Sequence, residues 1–177
     1  MMTRKMLTAM ILILALVLAL TDVVYAAGNI DATNKYAWGT NIGWVNFNPT
    51  HGGVTVYADH LEGYAWAENI GWIRLGTCTG GSPCTHANTS PTNYGVNRAV
   101  DGALSGYGWS TNAGWINFNP THSQVTIDPA SGVFDGYAWA ENVGWIHFKG
   151  GAGATAYGVV TSFTGGSKVY LPLIVKN

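Results

Sequence analysis

Residues 63–73 read GYAWAENIGWI and residues 136–146 read GYAWAENVGWI, so the two segments differ only at Ile70 and Val143. The full repeat occurs four times, as KYAWGTNIGWVNF (35–47), GYAWAENIGWIRL (63–75), GYGWSTNAGWINF (106–118) and GYAWAENVGWIHF (136–148). Every copy holds two tryptophans six residues apart, with an Asn and a Gly between them. Repetition of this kind is typical of a domain assembled from equivalent supersecondary units.

One unit of the repeat predicts a small β meander. Short alternating runs such as Val54-Thr55-Val56 precede three of the copies, and turn-forming residues follow each run. If Trp66 and Trp72 are cross-strand neighbours, residues 67–71 form the hairpin turn, where Asn69 and Gly71 best tolerate a positive φ. Outside the N-terminal segment, no window has the apolar period of a helix. The predicted fold is therefore all-β: repeated three-stranded meanders that form a sandwich, a barrel or a prism-like array, preceded by a helical signal peptide.

Strand alternation divides each hairpin into two faces. In the second copy, Tyr64, Trp66, Trp72 and Arg74 share one face, and Ala65 and Ile73 point to the other. The residue two positions after the second tryptophan varies between copies: Asn46, Arg74, Asn117 and His147. Because the repeat permits variation there, we expect this position to carry any recognition function.

The aromatic face has two interpretations. Exposed Trp and Tyr rings stack on sugars, and the predicted ligand-binding residues are then Trp38, Trp66, Trp109 and Trp139, together with Asn46, Arg74, Asn117 and His147. The alternative is a hydrophobic core, because only 17 Val, Ile and Leu lie between Lys35 and Gly150, and buried tryptophans would supply the missing apolar area. We favour the core for most of the tryptophans.

The two ends of the chain carry different signals. Arg4 and Lys5 precede an apolar run over 6–20, and Val24 and Ala26 suit a signal peptidase, which predicts a cleaved signal peptide over 1–26. The run is shorter than the roughly 20 residues of a membrane anchor. The repeat domain is expected over 27–150, a Gly/Ala/Ser/Thr-rich linker over 151–168, and a C-terminal strand or sorting tail over 169–177.

Cys78 and Cys84 are the only two cysteines, in the segment CTGGSPC. An exported chain meets an oxidising compartment, and the Gly-Gly-Ser-Pro turn lets the sulfurs meet, so we predict a disulfide loop over 78–84. A metal site is not expected, because His86 alone cannot complete a tetrahedral shell. No cofactor is predicted.

Charge and motifs argue against several functions. Eight Lys and Arg against nine Asp and Glu give a net charge of −1, and the scattered cations do not predict binding to nucleic acid. Glu68 and Glu141 occupy equivalent turn positions and resemble the carboxylate pair of a glycosidase. Thr40 and Thr111 hold the same position in the other copies, so a carboxylate that accepts backbone N–H bonds is the better interpretation. We predict no catalytic residue and no enzyme.

The pattern G-Y-A-W-x-E-N-x-G-W-I-x-F resembles a tandem repeat of secreted and surface proteins of environmental bacteria, whose function is not established. The stretch VYLPLIVKN (169–177) is similar to the tails of exported proteins of certain filamentous bacteria. Both resemblances imply a location outside the cell or on its surface.

These features predict a non-enzymatic surface protein with a structural or adhesive role. The alternative is a carbohydrate-binding module that uses exposed Trp and Tyr rings, and a glycoside hydrolase is a remote alternative. Expected partners are an extracellular polysaccharide or a cell-surface or matrix protein, and open strand edges could support self-association. We expect no nucleic-acid partner and no membrane span after signal cleavage.

Overall fold

The computed structural model describes residues 28–163, so the predicted signal peptide and the predicted C-terminal tail lie outside the described residues. Its strands are β1 (Ile30–Gly39), β2 (Gly43–Asn46), β3 (Gly53–Val56), β4 (Leu61–Ala67), β5 (Gly71–Arg74), β6 (Val96–Arg98), β7 (Leu104–Ser110), β8 (Gly114–Asn117), β9 (Thr126–Ile127), β10 (Phe134–Asp135), β11 (Tyr137–Ala140), β12 (Gly144–His147), β13 (Lys149–Gly150) and β14 (Tyr157–Thr161). A short 3₁₀ helix spans Gly153–Thr155. Between residues 28 and 163, no helix has the length and apolar character that crossing a bilayer requires.

Eight strands form a closed antiparallel barrel. They follow the order β1-β2-β4-β5-β7-β8-β11-β12, and β12 pairs with β1 to close the ring. Each copy of the repeat contributes one hairpin, so four hairpins stand side by side around the axis. The predicted all-β fold is confirmed, and the barrel is the arrangement that it takes.

A third strand completes each of repeats two, three and four. β3 pairs with β4, β6 with β7, and β9 with β10. Strands β3, β6 and β9 are not part of the eight-stranded barrel. This arrangement is the three-stranded meander that the sequence predicts.

The C-terminal strand β14 completes the first repeat. It pairs with β1, with Ile30 opposite Thr161 and Lys35 opposite Val159. Val159 and Thr161 are buried, so this part of the predicted 151–168 linker belongs to the folded domain. Its Gly- and Ala-rich surroundings concealed a short alternating strand, and this strand ties the end of the domain to its beginning.

The barrel interior consists of small and β-branched side chains. Alanines or a glycine on the first strand of each hairpin face a Val or Ile on the second, and such alternation of small and large residues fills a narrow barrel. The buried interior residues include Ala37, Val45, Ala65, Ile73, Ile116, Ala138 and Ile146. Ile42, Ile70, Ala113 and Val143 close the turn end, and Phe47, Leu75, Phe118 and Phe148 lie at the other end.

The tryptophans lie outside this core, so the prediction that most of them form it was wrong. Seven of the eight are 37–41% exposed, and Trp139 is partly buried. That prediction assumed an interior wide enough to need large side chains. Around a barrel of eight short strands, alanines, most of the Val, Ile and Leu residues and four buried phenylalanines are enough to form the core.

One glycine of the repeat is required by a close backbone approach. Gly63, Gly106 and Gly136 have φ values of 95°, 85° and 89°, which side chains rarely tolerate. A β carbon at these positions would lie 2.0–2.2 Å from a carbonyl oxygen of the outer chain segment. The first copy has Lys35 there, at a point where the pairing of β1 with β14 changes register.

Candidate binding surface on the barrel exterior

An aromatic girdle surrounds the barrel. Cross-strand register pairs the tryptophans of each hairpin as Trp38–Trp44, Trp66–Trp72, Trp109–Trp115 and Trp139–Trp145. The last three pairs meet edge to face with ring centroids 4.6–4.9 Å apart, a geometry that contributes about 0.5–1.5 kcal/mol. We use the term aromatic girdle for these eight rings and the adjacent Tyr36, Tyr64, Tyr107 and Tyr137. The predicted pairing of Trp66 with Trp72 and of Tyr64 with Arg74 is confirmed.

The variable position lies at the junction between neighbouring repeats. The register places each variable residue opposite the first tryptophan of the next hairpin: Asn46 with Trp66, Arg74 with Trp109, Asn117 with Trp139 and His147 with Trp38. Residues opposite each other on antiparallel strands share a face. The structure therefore brings the eight predicted site residues together as four ring-and-polar pairs around the barrel.

Hydrogen bonds hold three of the variable residues in place. Asn46 Oδ1 accepts the N–H of Asn48 at 2.9 Å, and Asn117 Oδ1 accepts the N–H of Asn119 at 2.9 Å. Arg74 Nε donates to the Gly76 carbonyl at 2.7 Å. Within residues 28–163, the Nδ2 groups of Asn46 and Asn117 make no hydrogen bond, so these two amides are oriented donors with free capacity.

His147 is packed more tightly than the other variable residues. Its ring stacks on Tyr137 with centroids 4.0 Å apart, and Nδ1 lies 3.1 Å from the Tyr157 hydroxyl. Burial lowers the pKa of His147, although the Asp135 carboxylate opposes this shift. The environment of His147 therefore favours the neutral imidazole within an aromatic stack.

The turn asparagines link neighbouring hairpins. Asn69 donates to the Asn41 carbonyl (3.1 Å), Asn112 to Ile70 (3.0 Å), Asn142 to Ala113 (3.3 Å) and Asn41 to Val143 (3.1 Å). The four bonds form a closed ring, which we call the asparagine clasp. The predicted positive φ of Gly71 is confirmed at 77°, whereas Asn69 has no positive φ. Each of these asparagines bonds to the turn of a neighbouring repeat. The sequence of a single copy cannot reveal that role.

The two equivalent glutamates have different surroundings. Glu68 Oε2 accepts the Trp44 N–H at 3.0 Å, so its carboxylate binds backbone as predicted, although the amide belongs to the preceding repeat. Within the described residues, Glu141 has no hydrogen-bond partner. Glu68 and Glu141 lie in the turns of repeats two and four, which are not neighbours in the barrel. The turn of repeat one or of repeat three therefore lies between them on either side.

An open groove lies between repeats three and four. Its volume is about 800 Å³, and the insertion between repeats two and three forms one wall. Tyr94 of the insertion is 6% exposed and packs edge-on against Trp115 at 4.9 Å. Trp139, Glu141 and Asn142 face it across what we call the insertion groove; its other lining residues include Asn88, Thr89, Ser90, Pro91, Tyr107, Trp109 and Asn117. The sequence offered one clue to this groove, an aromatic residue within a polar insertion.

A buried histidine anchors the start of the insertion. The ring nitrogens of His60, which is 0% exposed, lie 2.7 Å from Asp59 Oδ1 and 2.9 Å from Glu62 Oε1. Asp59 also accepts hydrogen bonds from the Ser82 hydroxyl (2.6 Å) and the Cys84 N–H (2.8 Å). Glu62 accepts the N–H groups of residues 80 and 81. This network leaves no signal in the sequence, because a lone His in a turn carries no distinguishing pattern.

The carboxylates of this network are held in their charged form. Burial raises the pKa of Asp59, but hydrogen bonds from Ser82, His60 and Cys84 outweigh it and bring the pKa to about 2. Burial also raises the pKa of Glu62, but hydrogen bonds from His60, Gly81 and Gly80 outweigh this effect, so the pKa of Glu62 is lowered. The network therefore fixes the disulfide loop with charge-assisted hydrogen bonds.

The predicted disulfide joins Cys78 and Cys84. The ligand atoms of His60, Cys78 and Cys84 lie within 4.8 Å of one another, whereas the sequence suggested only His86 as a neighbour of the cysteines. Cysteine binds metal as the thiolate, and the sulfurs of Cys78 and Cys84 are joined in a disulfide and are not thiolates. The disulfide itself indicates an oxidising compartment.

No family model, no curated protein and no solved structure matches this chain. Its function has to be inferred from the residues and their geometry. The aromatic girdle and the insertion groove are the features that carry this inference.

Proposed function

We propose that this protein is a secreted or cell-surface adhesive module, without enzymatic activity, that binds extracellular polysaccharide through its aromatic girdle. The single observation that carries the proposal is the exposure of seven tryptophans, 37–41% each, around a core built from other residues. Large contiguous apolar patches on a soluble protein usually mark interaction sites. The girdle therefore needs a ligand to explain it.

The chemistry of the girdle favours a sugar. A pyranose has apolar C–H faces and a rim of hydroxyls, so it needs a flat ring and a polar group side by side. Each junction offers this pair, for example Trp66 beside Asn46 and Trp139 beside Asn117. A few polar groups among aromatic surfaces are also what fixes orientation in small-ligand sites.

The shape of the girdle favours an extended chain. A protein partner of ordinary affinity needs about 800 Å² of complementary surface on each side, and a convex ring offers a flat partner only a part of itself. A polysaccharide can follow the curvature and contact several junctions. Weak contacts then add through effective concentration.

Barrel closure favours adhesion through the girdle over assembly through strand edges. The eight barrel strands pair on both sides, and unpaired edges are what promotes self-association. The disulfide, the low charge and the N-terminal signal pattern support export.

Tryptophan fluorescence tests the proposal directly. We expect soluble polysaccharides from a broad panel to include at least one that shifts or quenches the emission of the native protein. Trp66→Ala should weaken this response, and Val100→Ser is the matched control, because Val100 is 92% exposed but lies off the girdle. Indifference of the native protein to the whole panel, or equal loss in both variants, would overturn the proposal.

A further inference from the structure

We infer that the insertion groove is a subsite selective for neutral sugars, which binds a short oligosaccharide more tightly than the rest of the girdle does. The inference rests on the proposed function and assigns that function a location and a ligand class. Its basis is the combination of concave shape, unused polar groups and charge in one place.

The insertion converts a convex surface into a concave one. Tyr94 packs on Trp115 and raises a wall beside the girdle, opposite Trp139. The volume of this open groove, about 800 Å³, lies within the range of roughly 300–1,000 Å³ found for small-ligand sites. A ligand in the groove exposes less surface to water than one on an open junction, which favours tighter binding.

The insertion wall is fixed before any ligand arrives. His86 is 3% exposed and its ring Nε2 accepts the Cys78 N–H. The backbone N–H of His86 donates to Asn97 Oδ1 at 2.8 Å. Asn88 Oδ1 accepts the Gly95 N–H at 3.0 Å. A preformed wall reduces the ordering cost of binding.

The polar groups of the groove suit sugar hydroxyls. The Asn117 amide can donate, the Glu141 carboxylate can accept, and the Thr89 hydroxyl can do either. Within residues 28–163, neither Asn117 Nδ2 nor Glu141 has a hydrogen-bond partner. Tyr107 and Trp115, 36% and 40% exposed, supply ring surface beside them.

The charge of the groove selects among sugars. Its lining contains Glu141 and no Lys or Arg among the described residues. Arg74 interacts with Tyr94 but directs Nε to the Gly76 carbonyl and is not part of the lining. A uronate or sulfate in the groove would be repelled by the Glu141 carboxylate, whereas a neutral sugar would not be.

Calorimetry with defined oligosaccharides tests this inference. The probes are hexasaccharides of glucose or mannose with different linkages, against oligogalacturonate of the same length. We expect a neutral hexasaccharide to bind wild-type protein with roughly tenfold higher affinity than oligogalacturonate. In Glu141→Gln, neutral binding should weaken about fivefold, because a neutral acceptor forms weaker hydrogen bonds, and oligogalacturonate binding should strengthen.

Matched variants in repeat two separate the groove from the girdle. Trp139→Ala should abolish tight hexasaccharide binding, and Trp66→Ala, at the equivalent residue outside the groove, should weaken it much less. Val100→Ser, off the girdle, should leave the affinity unchanged. Equal effects of Trp66→Ala and Trp139→Ala, or no preference for neutral sugars, would overturn the groove and leave the proposed function intact. If no probe and no polysaccharide binds wild-type protein, both proposals fail.

Discussion

Repeats two and four are near-identical in sequence but differ in what surrounds them. Both place Ala and Ile inside the barrel and a tryptophan pair outside it. In repeat two, Glu68 binds the Trp44 amide of its neighbour. In repeat four, Glu141 faces the insertion groove.

This difference separates the residues that the repeat needs for the fold from the residues that are available for binding. The inner face, the turn glycine and the clasp Asn recur because the barrel needs them in every copy. The contacts of the outer face differ between copies, because they depend on the neighbouring copy or on the insertion. Function can therefore be placed in one copy without any change in the repeat itself.

The strongest test of the shared structural role is Gly63→Ala and Gly136→Ala. Both add a β carbon 2.0 Å from a carbonyl oxygen at a positive φ, and we expect each to lose more than about 3 kcal/mol in free energy of unfolding. Urea denaturation measures the loss. Gly80→Ala is the control, since its φ is 111° but no atom lies within 4 Å, and it should cost about 1 kcal/mol. Equal costs in all three variants would contradict the close approach.

Acid should weaken the anchor of the insertion, which adjoins repeat two. The pKa of Asp59 is about 2 in the folded protein against an ordinary 3.8. A lowered carboxyl pKa stabilises the fold above the unfolded value, and this contribution, about 2 kcal/mol, is lost as the pH falls from about 4 through 2. Urea denaturation between pH 5 and pH 2 measures it, and Asp59→Asn should lose less stability over that interval. Parallel pH profiles for both proteins would show that this network does not hold the insertion.

The two glutamates should differ in their contribution to stability. Glu68→Ala removes the acceptor of the Trp44 N–H and should cost about 1 kcal/mol. Glu141→Ala removes a carboxylate without a described partner and should change stability by less than about 0.5 kcal/mol. Thermal denaturation of the two variants in parallel measures both effects. If Glu141→Ala is as costly as Glu68→Ala, the two turns are equivalent and the contrast is lost.

The asparagine clasp should show no such contrast. Asn69→Ala and Asn142→Ala each remove one hydrogen bond to a neighbouring turn, and each should cost roughly 0.5–1 kcal/mol. Chemical denaturation of the two single variants measures the effect. A cost confined to one copy would show that the ring does not act as four equal links.

The pairing of strands within a hairpin could be predicted from the sequence, but the closure of the four hairpins into a barrel could not. The alternation around Trp66 and Trp72 predicted the register and the two faces of a hairpin, because strand geometry leaves little freedom there. The pairing of Trp38 with His147 joins the two ends of the repeat region, and β14 lies in a stretch with the composition of a linker. Contacts between distant segments leave no periodic signal.

The sequence could predict which residues share the outer face of a hairpin, but not how those of neighbouring hairpins are arranged. The variable position and the first tryptophan of each copy were identified from the sequence, but their contact runs between repeats and depends on the stagger of neighbouring hairpins. The exposure of the rings depends on how narrow the barrel is. The groove depends on an insertion whose fold is held by His60 and His86, and neither histidine belongs to the repeat.

Acrylamide quenching of tryptophan fluorescence in the native protein tests the central claim most directly, since the claim is that the tryptophans surround the core and do not form it. We predict strong quenching of most of the emission under native conditions, and protection of part of it when a bound polysaccharide covers the girdle. Emission that acrylamide reaches only after denaturation would place the rings in the core and contradict the account.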